Sequence, residues 1–325
     1  MSEYKGIKGF SIQSLSADPA DPNIGQVWYN STSGSWKVTS VSTAGAWASG
    51  NNMNTARSYL AGAGTQTAGL AFGGSAGNAV NATEEYDGNS WTNSNPLNTA
   101  RAGLGDCGTQ TAALSFGGAY PGPTFTGATE EYDGNSWTNS NSLNTARYYL
   151  RGAGTQTAGL AFGGFIPPAN TGVTEEYDGN SWATSPGSMN TARRNFAGCG
   201  TQTAALAFGG YVTAAVSNSE EYNGTSWASG NNINTARFYF PGVGTQTAAV
   251  GFGGGPPYTG ATEEYDGTSW VTSPASLNTA RGILAGAGNA SAALAMGGEI
   301  TPGNTAATEE WTGAGVALTK TITTS

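Results

Sequence analysis

The hydrophobic pattern of this chain consists of short apolar segments that return in the same order six times. In one copy, the runs Ala102–Gly108 and Ala112–Gly118 are made of small and apolar residues, and Thr109, Gln110 and Thr111 separate them. Two apolar runs joined by a short polar turn are typical of a β-hairpin. This half of the unit therefore predicts two antiparallel strands, which we name a and b.

The second half of the same copy predicts another hairpin. Glu130–Tyr132 and Trp137–Asn139 flank the turn Asp133–Ser136, which begins with Asp-Gly. Asp-Gly between two strand-like segments is a strong hairpin signal, because glycine accepts positive φ. We name these strands c and d. No window keeps an apolar period of 3.6 residues over three turns, so helices are not expected.

The repeat has a period of 44 to 46 residues and three landmarks. A Gly-Gly pair ends strand b, sixteen residues after the last residue of the phrase Asn-Thr-Ala-Arg. A fixed period of this length, with four strands and aromatic residues at fixed places, is typical of a β-propeller blade. The phrase ends at Arg57, Arg101, Arg147, Arg193, Arg237 and Arg281. Strand c carries the third landmark, at Glu84-Glu85-Tyr86, Glu130-Glu131-Tyr132, Glu175-Glu176-Tyr177, Glu220-Glu221-Tyr222, Glu263-Glu264-Tyr265 and Glu309-Glu310-Trp311.

This order of Arg, apolar hairpin, Gly-Gly, Glu-x-Tyr-Asp and Trp resembles the Kelch repeat. The resemblance covers Trp47 to Trp311, six units of six, and its motifs are specific when taken together. One departure is that Kelch repeats usually carry an apolar residue where this chain has the second glutamate. The resemblance implies an all-β fold, a six-bladed Kelch-like β-propeller of four-stranded antiparallel blades.

The two ends of the repeat region predict how the ring of blades closes. Trp47 lies ten residues before Arg57, as Trp91 does before Arg101, so the repeats begin with a strand d. The last copy has Val316 where the others have Trp. We expect the strand that contains Trp47 to complete the sixth blade beside residues 307–312, which removes an open edge. The expected domains are an N-terminal arm and hairpin at 1–45, the propeller at 46–318 and a C-terminal tail at 319–325.

Composition narrows the function more than the fold. The net charge is −9, with 12 Lys and Arg against 21 Asp and Glu, and the arginines stand singly in the repeats. A nucleic-acid partner is not expected, because there is no basic stripe. No apolar run reaches the roughly 20 residues that cross a bilayer, so membrane insertion is not expected either. Met1–Phe10 lacks the apolar core of a signal peptide, which favours folding in the cytoplasm of the host cell.

The paired glutamates are the main acidic feature, and the sequence leaves two interpretations open. Adjacent strand residues point to opposite faces, so one pair does not form a two-carboxylate catalytic site. One interpretation is an acidic metal site. The other is that one Glu of each pair is buried and needs a cation, and the repeated arginine occurs equally often. This favoured interpretation predicts structural ion pairs between Arg57, Arg101, Arg147, Arg193, Arg237 and Arg281 and, in the same order, Glu84, Glu130, Glu175, Glu220, Glu263 and Glu309.

An enzymatic function is not expected. The chain has no histidine, which excludes Ser-His-Asp triads, Cys-His pairs and histidine-ligated metals. Glycine-rich stretches such as Gly251–Gly255 end strands instead of opening helices, so they do not predict phosphate loops. We predict no cofactor and no resident metal. Cys107 and Cys199 occupy a slot that holds Ala or Val in other repeats, which predicts two free structural thiols.

The repeats differ at two places that the predicted topology brings to one face. The turns a–b and c–d are nearly constant, whereas the b–c loops and the two residues after each repeated arginine vary. Exposed aromatic residues on loops of a rigid scaffold are typical of a recognition surface. The alternative is that these loops vary without function. The candidate partner-binding residues are Tyr120, Phe125, Tyr148, Tyr149, Phe165, Arg194, Tyr211, Phe238, Tyr239 and Tyr258.

The segment before the repeats indicates a biological setting. Gly25–Asn30 and Ser35–Val38, joined by Ser31–Gly34, predict a hairpin, and this segment resembles hairpins of phage tail and fibre proteins. That resemblance implies a virion protein (tail, fibre or capsid decoration) that binds a virion partner, a host surface glycan or a host protein. The N-terminal arm is then a candidate contact for a homo-oligomer. The alternative is a free carbohydrate-binding lectin or adhesin at the extracellular surface. A Kelch adaptor of the eukaryotic type is disfavoured, because no partner domain accompanies the repeats.

Overall fold

The computed structural model describes residues 13–19, 25–41, 44–120, 124–315 and 317–322. These residues form strands, turns and loops and contain no helix, which confirms the all-β prediction. Pro121, in a predicted b–c loop, and Val316 lie outside the described residues, as do parts of the predicted arm and tail. The chain divides into two compact units, residues 46–312 and residues 1–45 with 313–325.

The larger unit consists of repeated four-stranded antiparallel sheets, one for each predicted copy within the described residues. We number these sheets 1 to 6 in the order of their strands a. Sheets 1 to 3 contain Ala61–Gly64, Gly69–Phe72, Thr83–Tyr86 and Trp91–Ser94; Gly105–Thr109, Ala112–Phe116, Thr129–Tyr132 and Trp137–Ser140; and Arg151–Thr155, Ala158–Phe162, Thr174–Tyr177 and Trp182–Thr184. Sheets 4 to 6 contain Ala197–Thr201, Ala204–Phe208, Ser219–Tyr222 and Trp227–Gly230; Gly242–Thr245, Ala248–Phe252, Thr262–Tyr265 and Trp270–Thr272; and Ala285–Gly288, Ala292–Met296, Thr308–Thr312 and Ala46–Gly50.

Sheet 6 takes its strand d from the start of the repeat region. Ala46–Gly50 pairs with Thr308–Thr312 in antiparallel register, and Trp47 lies opposite Trp311. This register repeats the Tyr-to-Trp pairing of the other sheets, for example Tyr132 opposite Trp137. Two b–c loops add short hairpins of their own, Phe165–Ile166 with Ala169–Asn170 and Glu299–Ile300 with Gly303–Asn304.

The smaller unit contains a separate four-stranded sheet. Val27–Asn30 and Ser35–Val41 form the predicted hairpin, with Trp28 opposite Lys37. Gln13–Leu15 pairs in parallel with the first of these strands, and Ala317–Thr321 pairs antiparallel with the second. The last strand therefore spans position 318, at which the propeller domain was expected to end. The Asp18 carboxylate accepts hydrogen bonds from Trp28 Nε1 at 2.9 Å and from Asn30 Nδ2 at 2.7 Å.

Consecutive sheets of the larger unit are joined by a recurring set of side-chain hydrogen bonds. The Gln110 amide, in an a–b turn, donates to the Gly69 carbonyl at 3.0 Å and to the Tyr86 carbonyl at 2.7 Å of the preceding sheet. Trp137 Nε1 donates to Thr83 Oγ1 at 3.0 Å. The same contacts join sheet 1 to sheet 6, where Gln66 donates to Trp311 O, Trp91 to Thr308 and Tyr86 to Glu310.

The Gly-Gly pair serves this contact between sheets. Gly117 has a φ of 65°, which favours glycine, and a Cβ atom there would lie 2.7 Å from the Arg147 carbonyl oxygen of the next repeat. The N–H of Gly118 donates to that same carbonyl at 3.0 Å. The pair is therefore required by backbone conformation and by the close approach of the neighbouring repeat.

The contact between sheets 5 and 6 lacks most of the recurring hydrogen bonds. Ala290 stands where the other repeats have the bridging glutamine, and Trp311 has no hydroxyl group to donate to Glu264. The buried Ser273 hydroxyl has no hydrogen-bond partner among the described residues, whereas its equivalent Ser185 contacts the Tyr222 hydroxyl. The bond from tryptophan to threonine remains, from Trp47 Nε1 to Thr262 Oγ1 at 2.9 Å.

One further departure gives a test of these contacts. Ser219 replaces the threonine of strand c, and both Ser219 Oγ and Trp270 Nε1 are buried without a partner. Because Thr174 accepts from Trp227 at the equivalent place, Ser219→Thr, whose added methyl group restricts the side-chain rotamer, should turn the hydroxyl oxygen toward Trp270 Nε1. The free energy of unfolding should rise by about 1 kcal/mol in urea titrations. Thr174→Ser is the matched control and should lower it by a similar amount. A loss of stability in Ser219→Thr would contradict this account.

Candidate functional site

Each repeated arginine forms an almost fully buried ion pair with the first glutamate of its own repeat. The structure thus brings together all twelve residues for which ion pairs were predicted. The arginines lie in the segment before strand a, not in the strand itself, and this segment is tied to strand c. The pairs are Arg57–Glu84 at 3.2 Å, Arg101–Glu130 at 2.9 Å, Arg147–Glu175 at 2.6 Å, Arg237–Glu263 at 3.3 Å, Arg193–Glu220 and Arg281–Glu309.

The guanidinium groups also bind the ends of strand b and of the b–c loop. Arg101 Nη1 donates to the carbonyl oxygens of Gly117 at 2.8 Å and Ala128 at 2.7 Å, and Nη2 donates to Ser115 Oγ at 3.0 Å. Burial lowers the pKa of Arg57 to about 10, an effect that Glu84 partly offsets, so the group stays charged at neutral pH. The terminal nitrogens of these arginines are thus bound within the fold, whereas each Nε is buried without a hydrogen-bond partner among the described residues.

The paired glutamates are saturated as well. Glu175 accepts hydrogen bonds from the backbone N–H groups of Asn144 at 2.7 Å and Thr145 at 3.2 Å, in addition to its arginine. No group of three or more His, Cys, Asp or Glu side chains in the described ranges could hold a metal ion. The buried carboxylates therefore act on the backbone of the Asn-Thr-Ala-Arg phrase.

The second glutamate of each pair faces the next sheet. Glu176 Oε1 accepts the Tyr222 hydroxyl at 2.6 Å, and Glu221 Oε1 accepts that of Tyr265 at 2.7 Å. Burial, followed by the hydrogen bond to Glu176, raises the pKa of Tyr222 to about 12. The adjacent glutamates thus point to opposite faces of the sheet. Each has a separate structural partner among the described residues except Glu264, where Trp311 replaces the tyrosine.

Replacing one glutamate of each kind should show that the ion-paired glutamate contributes more to stability than the glutamate bound to tyrosine. Glu175→Gln leaves the Arg147 guanidinium buried without its counter-ion, so the free energy of unfolding should fall by about 3–5 kcal/mol in urea titrations. The neighbouring Glu176→Gln is the matched control. It keeps an acceptor for Tyr222 and should lose no more than about 1 kcal/mol. Equal losses in the two variants would contradict a special role for the ion pair.

The second residue after each repeated arginine adopts an unusual backbone conformation. Its φ lies between 53° and 63° in every repeat. The N–H of each donates to the carbonyl of the equivalent residue in the preceding repeat, with N···O distances of 2.7–3.1 Å. These hydrogen bonds form a continuous cycle through Tyr59, Gly103, Tyr149, Asn195, Tyr239 and Ile283, and Tyr59 donates back to Ile283.

The backbone conformation at this slot favours glycine over residues with large side chains. Glycine adopts positive φ freely, as Gly103 does, whereas other residues are strained there by about 1 kcal/mol or more. Tyrosine nevertheless occupies the slot in alternate repeats, and the Tyr59 ring lies 5.4 Å from that of Tyr149 and 5.8 Å from that of Tyr239. Burial raises the pKa of Tyr59 well above its ordinary value. Tyr59 was not among the candidate residues, although its slot matches that of Tyr149 and Tyr239.

The first residue after each arginine pairs with the residue that follows Gly-Gly in the same repeat. Tyr148 pairs with Phe165, and Arg194 pairs with Tyr211. The two variable parts of the repeat therefore lie side by side, as the sequence predicted. We call the surface that they form the loop face, and the opposite surface, made of the a–b and c–d turns, the turn face.

Most candidate residues form one connected cluster on the loop face. Tyr148 packs against Phe165 at 5.6 Å and Phe125 at 6.0 Å between ring centroids, and Phe238 packs against Tyr211 at 5.1 Å. We call the cluster the aromatic belt, and it consists of Phe125, Tyr148, Phe165, Arg194, Tyr211 and Phe238. The prediction that the loop aromatics are exposed is wrong: each is half-buried, because neighbouring loops pack their rings against one another.

The remaining candidates lie beside the belt or apart from it. Tyr149 and Tyr239 contact the belt through Tyr148 and Phe238. Tyr258 stands apart, against Gly282, and burial together with a hydrogen bond to Glu299 raises its pKa to about 12. Tyr120 lines a groove of about 340 Å³, whose walls include Tyr59, Ser75, Asn78, Tyr120, Tyr148 and Tyr149.

Two charged residues on the strands a were missed by the sequence analysis. Asp106 stands where the other five repeats have glycine, and Arg151 stands where they have Ala, Gly or Pro. Both line a narrow cavity of about 30 Å³ between the strands a. Arg151 Nε donates to the Phe196 carbonyl at 2.7 Å, and Asp106 Oδ2 accepts from the Gly62 N–H at 3.2 Å. Comparison of equivalent slots, rather than of motifs, would have found them.

The environment of Asp106 makes stability depend on pH. Burial raises its pKa from 3.8 to about 6, although Arg151 acts in the opposite direction. Asp106 ionises near pH 4 in the unfolded chain and near pH 6 in the folded chain. The folded state therefore loses stability as the pH rises through that range. The expected loss is up to about 3 kcal/mol between pH 4 and pH 7. Asp106→Asn should remove this slope in urea titrations at several pH values. Parallel pH profiles for the two proteins would contradict the prediction.

Comparison with known proteins gives this chain no relative. No protein-family model matches it, and no curated protein is similar to it. The described residues include no helix of the length and hydrophobicity that would span a membrane.

Proposed function

We propose that the protein is a non-enzymatic recognition protein built on a six-bladed, Kelch-like β-propeller. In this proposal the loop face binds the partner, and the six sheets are the blades. The cycle of backbone hydrogen bonds through the six equivalent residues after the arginines supports closure of the ring. The hydrogen bonds that join sheet 1 to sheet 6 support it as well, because they repeat those between other neighbouring sheets.

The observation that carries the functional proposal is the contrast between the two faces. On the turn face, the constant residues stabilise the fold: Gln110 bridges two sheets, and Asp133 accepts hydrogen bonds from N–H groups of its own turn. On the loop face, Tyr148, Arg194 and Phe238 occupy a slot that Ser58 and Ala102 fill elsewhere. Side chains that the scaffold does not need, gathered on one face, are typical of a recognition surface.

A catalytic role is not part of the proposal. The chain has no histidine, the repeated arginines are paired with the first glutamates, and five of the six second glutamates accept a tyrosine hydroxyl. Apart from those arginines, the described residues of the loop face carry two charged side chains, Arg194 and Glu299. Glu299 binds the hydroxyl of Tyr258, but the pKa of this phenol is raised and not lowered, so it is not an activated nucleophile. Binding is the function that this inventory supports.

We further propose that the protein is a phage virion component, a tail, fibre or capsid-decoration protein that folds in the host cytoplasm. The N-terminal hairpin, with Trp28 fixed by Asp18, would attach the propeller to the particle, and a virion protein or a host surface glycan would bind the loop face. The second candidate is a free lectin or adhesin. The aromatic groove beside Tyr120 and Asn78 favours it, because aromatic faces and neutral polar groups suit sugars.

Removing three loop-face aromatics should abolish partner binding. In the variant Tyr148→Ala, Phe238→Ala and Tyr258→Ala, we expect loss of binding to any surface glycan that the wild type retains on a glycan array. The melting temperature should change by only a few degrees, since these side chains are half-buried. The matched control replaces Thr67, Thr111 and Thr157, exposed on the turn face, by alanine and should bind normally. Unaltered binding by the first variant would overturn the proposed role of the loop face.

Mass spectrometry of purified particles tests the virion assignment. Peptides of this chain in gradient-purified particles support it. Recovery of the chain only from the particle-free fraction overturns it and leaves the lectin or adhesin as the function.

A further inference from the structure

We propose that Arg194 and its two aromatic neighbours form a binding site for a carboxylate-bearing sugar, such as a uronic acid residue of a surface polysaccharide. The inference rests on the proposed recognition role of the loop face and names the chemistry of its ligand. Four properties of Arg194 support it: fixed orientation, unused donors, isolation from other cations, and a slot that the fold does not need filled.

The guanidinium group of Arg194 is held in one orientation. Its central carbon lies 4.3 Å from the centroid of the Phe165 ring and 4.9 Å from that of Tyr211. Nη1 donates to Asn170 Oδ1 at 2.8 Å, and the Asn170 amide donates in turn to the Tyr211 carbonyl at 3.2 Å. A group stacked between two rings and hydrogen-bonded at one nitrogen loses little further freedom when a ligand binds.

The other donors of this guanidinium are unused. Among the described residues, Nε and Nη2 of Arg194 have no hydrogen-bond acceptor and no carboxylate partner. Arginine presents its N–H groups in a planar fork that matches the two oxygens of a carboxylate. The half-buried side chain therefore offers a preformed acceptor-binding edge to the surface.

Arg194 also has few charged neighbours in its unit: apart from the ion-paired arginines, the other charged side chain among the described residues of the loop face is Glu299, which binds the Tyr258 hydroxyl. The larger unit contains no lysine, six of its other arginines are in buried ion pairs, and Arg151 lies between the strands a. The exposed aspartates, such as Asp178, lie on the turn face, a strand of four or five residues away. That is about 15 Å, or nearly two Debye lengths in physiological salt, so the acidic turn face does not repel an anion at Arg194.

The surroundings favour a sugar as the carrier of the carboxylate. The rings of Tyr148 and Phe238 flank the Phe165–Arg194–Tyr211 stack on either side. The C–H face of a pyranose packs on aromatic rings, whereas an acidic peptide side chain supplies the charge without that face. The groove lined by Tyr120, Tyr149 and Asn78 begins one ring further on and would accept neighbouring sugar units.

The fold has no use for an arginine at this slot. The equivalent positions hold Ser58, Ala102 and Gly282 in other repeats, and the backbone pairing to the residue after Gly-Gly is the same. Replacement of Arg194 should therefore leave the scaffold intact, which makes the proposal testable by mutation.

Calorimetry with defined oligogalacturonides tests the proposal as a cycle of two changes. The wild type should bind the acid form about 10- to 100-fold more tightly than its methyl ester. Arg194→Met, which keeps an apolar stem between the rings, should bind acid and ester equally and as weakly as the wild type binds the ester. Arg194→Lys should recover part of the affinity, because it restores charge without the fork. Thr157→Ala, an exposed position on the turn face, is the control and should bind as the wild type does.

The outcomes separate this inference from the function on which it rests. No measurable binding of acidic sugars by the wild type, or equal binding of acid by wild type and Arg194→Met, overturns the site. Equal or tighter binding of a hexaglutamate peptide overturns the assignment to a sugar. If the wild type binds neutral glycans but no acidic ones, and the triple loop-face variant loses that binding, the proposed function stands while the inference fails.

Discussion

The buried arginine is the interaction on which the rest of each repeat depends. Its guanidinium group holds the glutamate of strand c and the carbonyl groups that end strand b and the b–c loop, as Arg101 does with Gly117 and Ala128. Its own carbonyl oxygen accepts an N–H group from the Gly-Gly pair of the preceding repeat, as Arg101 does from Gly74 at 2.8 Å. One residue therefore fixes the interior of a repeat and its contact with the next. The residues that follow it leave from a fixed point, which is why the variable positions converge on one face.

Burying this ion pair carries a desolvation cost in each of the six repeats. Nε of every repeated arginine is buried without a hydrogen-bond partner, and desolvation of an ion pair is expensive even when the geometry is good. Apolar residues could fill the same space, but they would not bind three to five backbone groups at once, as the Arg–Glu pairs do. The ion pair is therefore best understood as a means of fixing backbone geometry. By the same reasoning, charged or strained side chains that other repeats do without, such as those of Asp106, Arg194 and Tyr149, are where the repeat departs from what its scaffold needs.

Periodic features could be predicted from the sequence, and features that arise from packing between repeats could not. The strands, the partner of each repeated arginine and the pairing of Trp47 with the last repeat follow from motifs at fixed spacing. The half-buried state of the loop aromatics depends on which loop leans on which, as when Phe165 packs between Tyr148 and Arg194, and no local pattern records this. The positive φ after each arginine was also hidden, because tyrosine and isoleucine occupy a slot that would signal itself only as glycine. Asp106 and Arg151 could not be predicted from motifs, because each is a single exception inside a strand a that is otherwise made of small residues.

Other exceptions to the repeat show that the contacts between neighbouring sheets are not equivalent. The contact between sheets 5 and 6 loses the glutamine bridge at Ala290 and the tyrosine hydroxyl at Trp311. What remains there is the aromatic packing that the other contacts also have: the Trp47 ring lies 4.8 Å from Phe252 of sheet 5, as the Trp137 ring does from Phe72. Sheet 6 is also the sheet assembled from distant parts of the chain, with Ala46–Gly50 beside Thr308–Thr312. Hydrogen bonds demand exact alignment, whereas apolar contact tolerates small displacements. In the proposed propeller, a contact dominated by aromatic rings at this position would allow the last sheet to adjust as its two parts come together, while the directional bonds of the other contacts hold the remaining sheets in register.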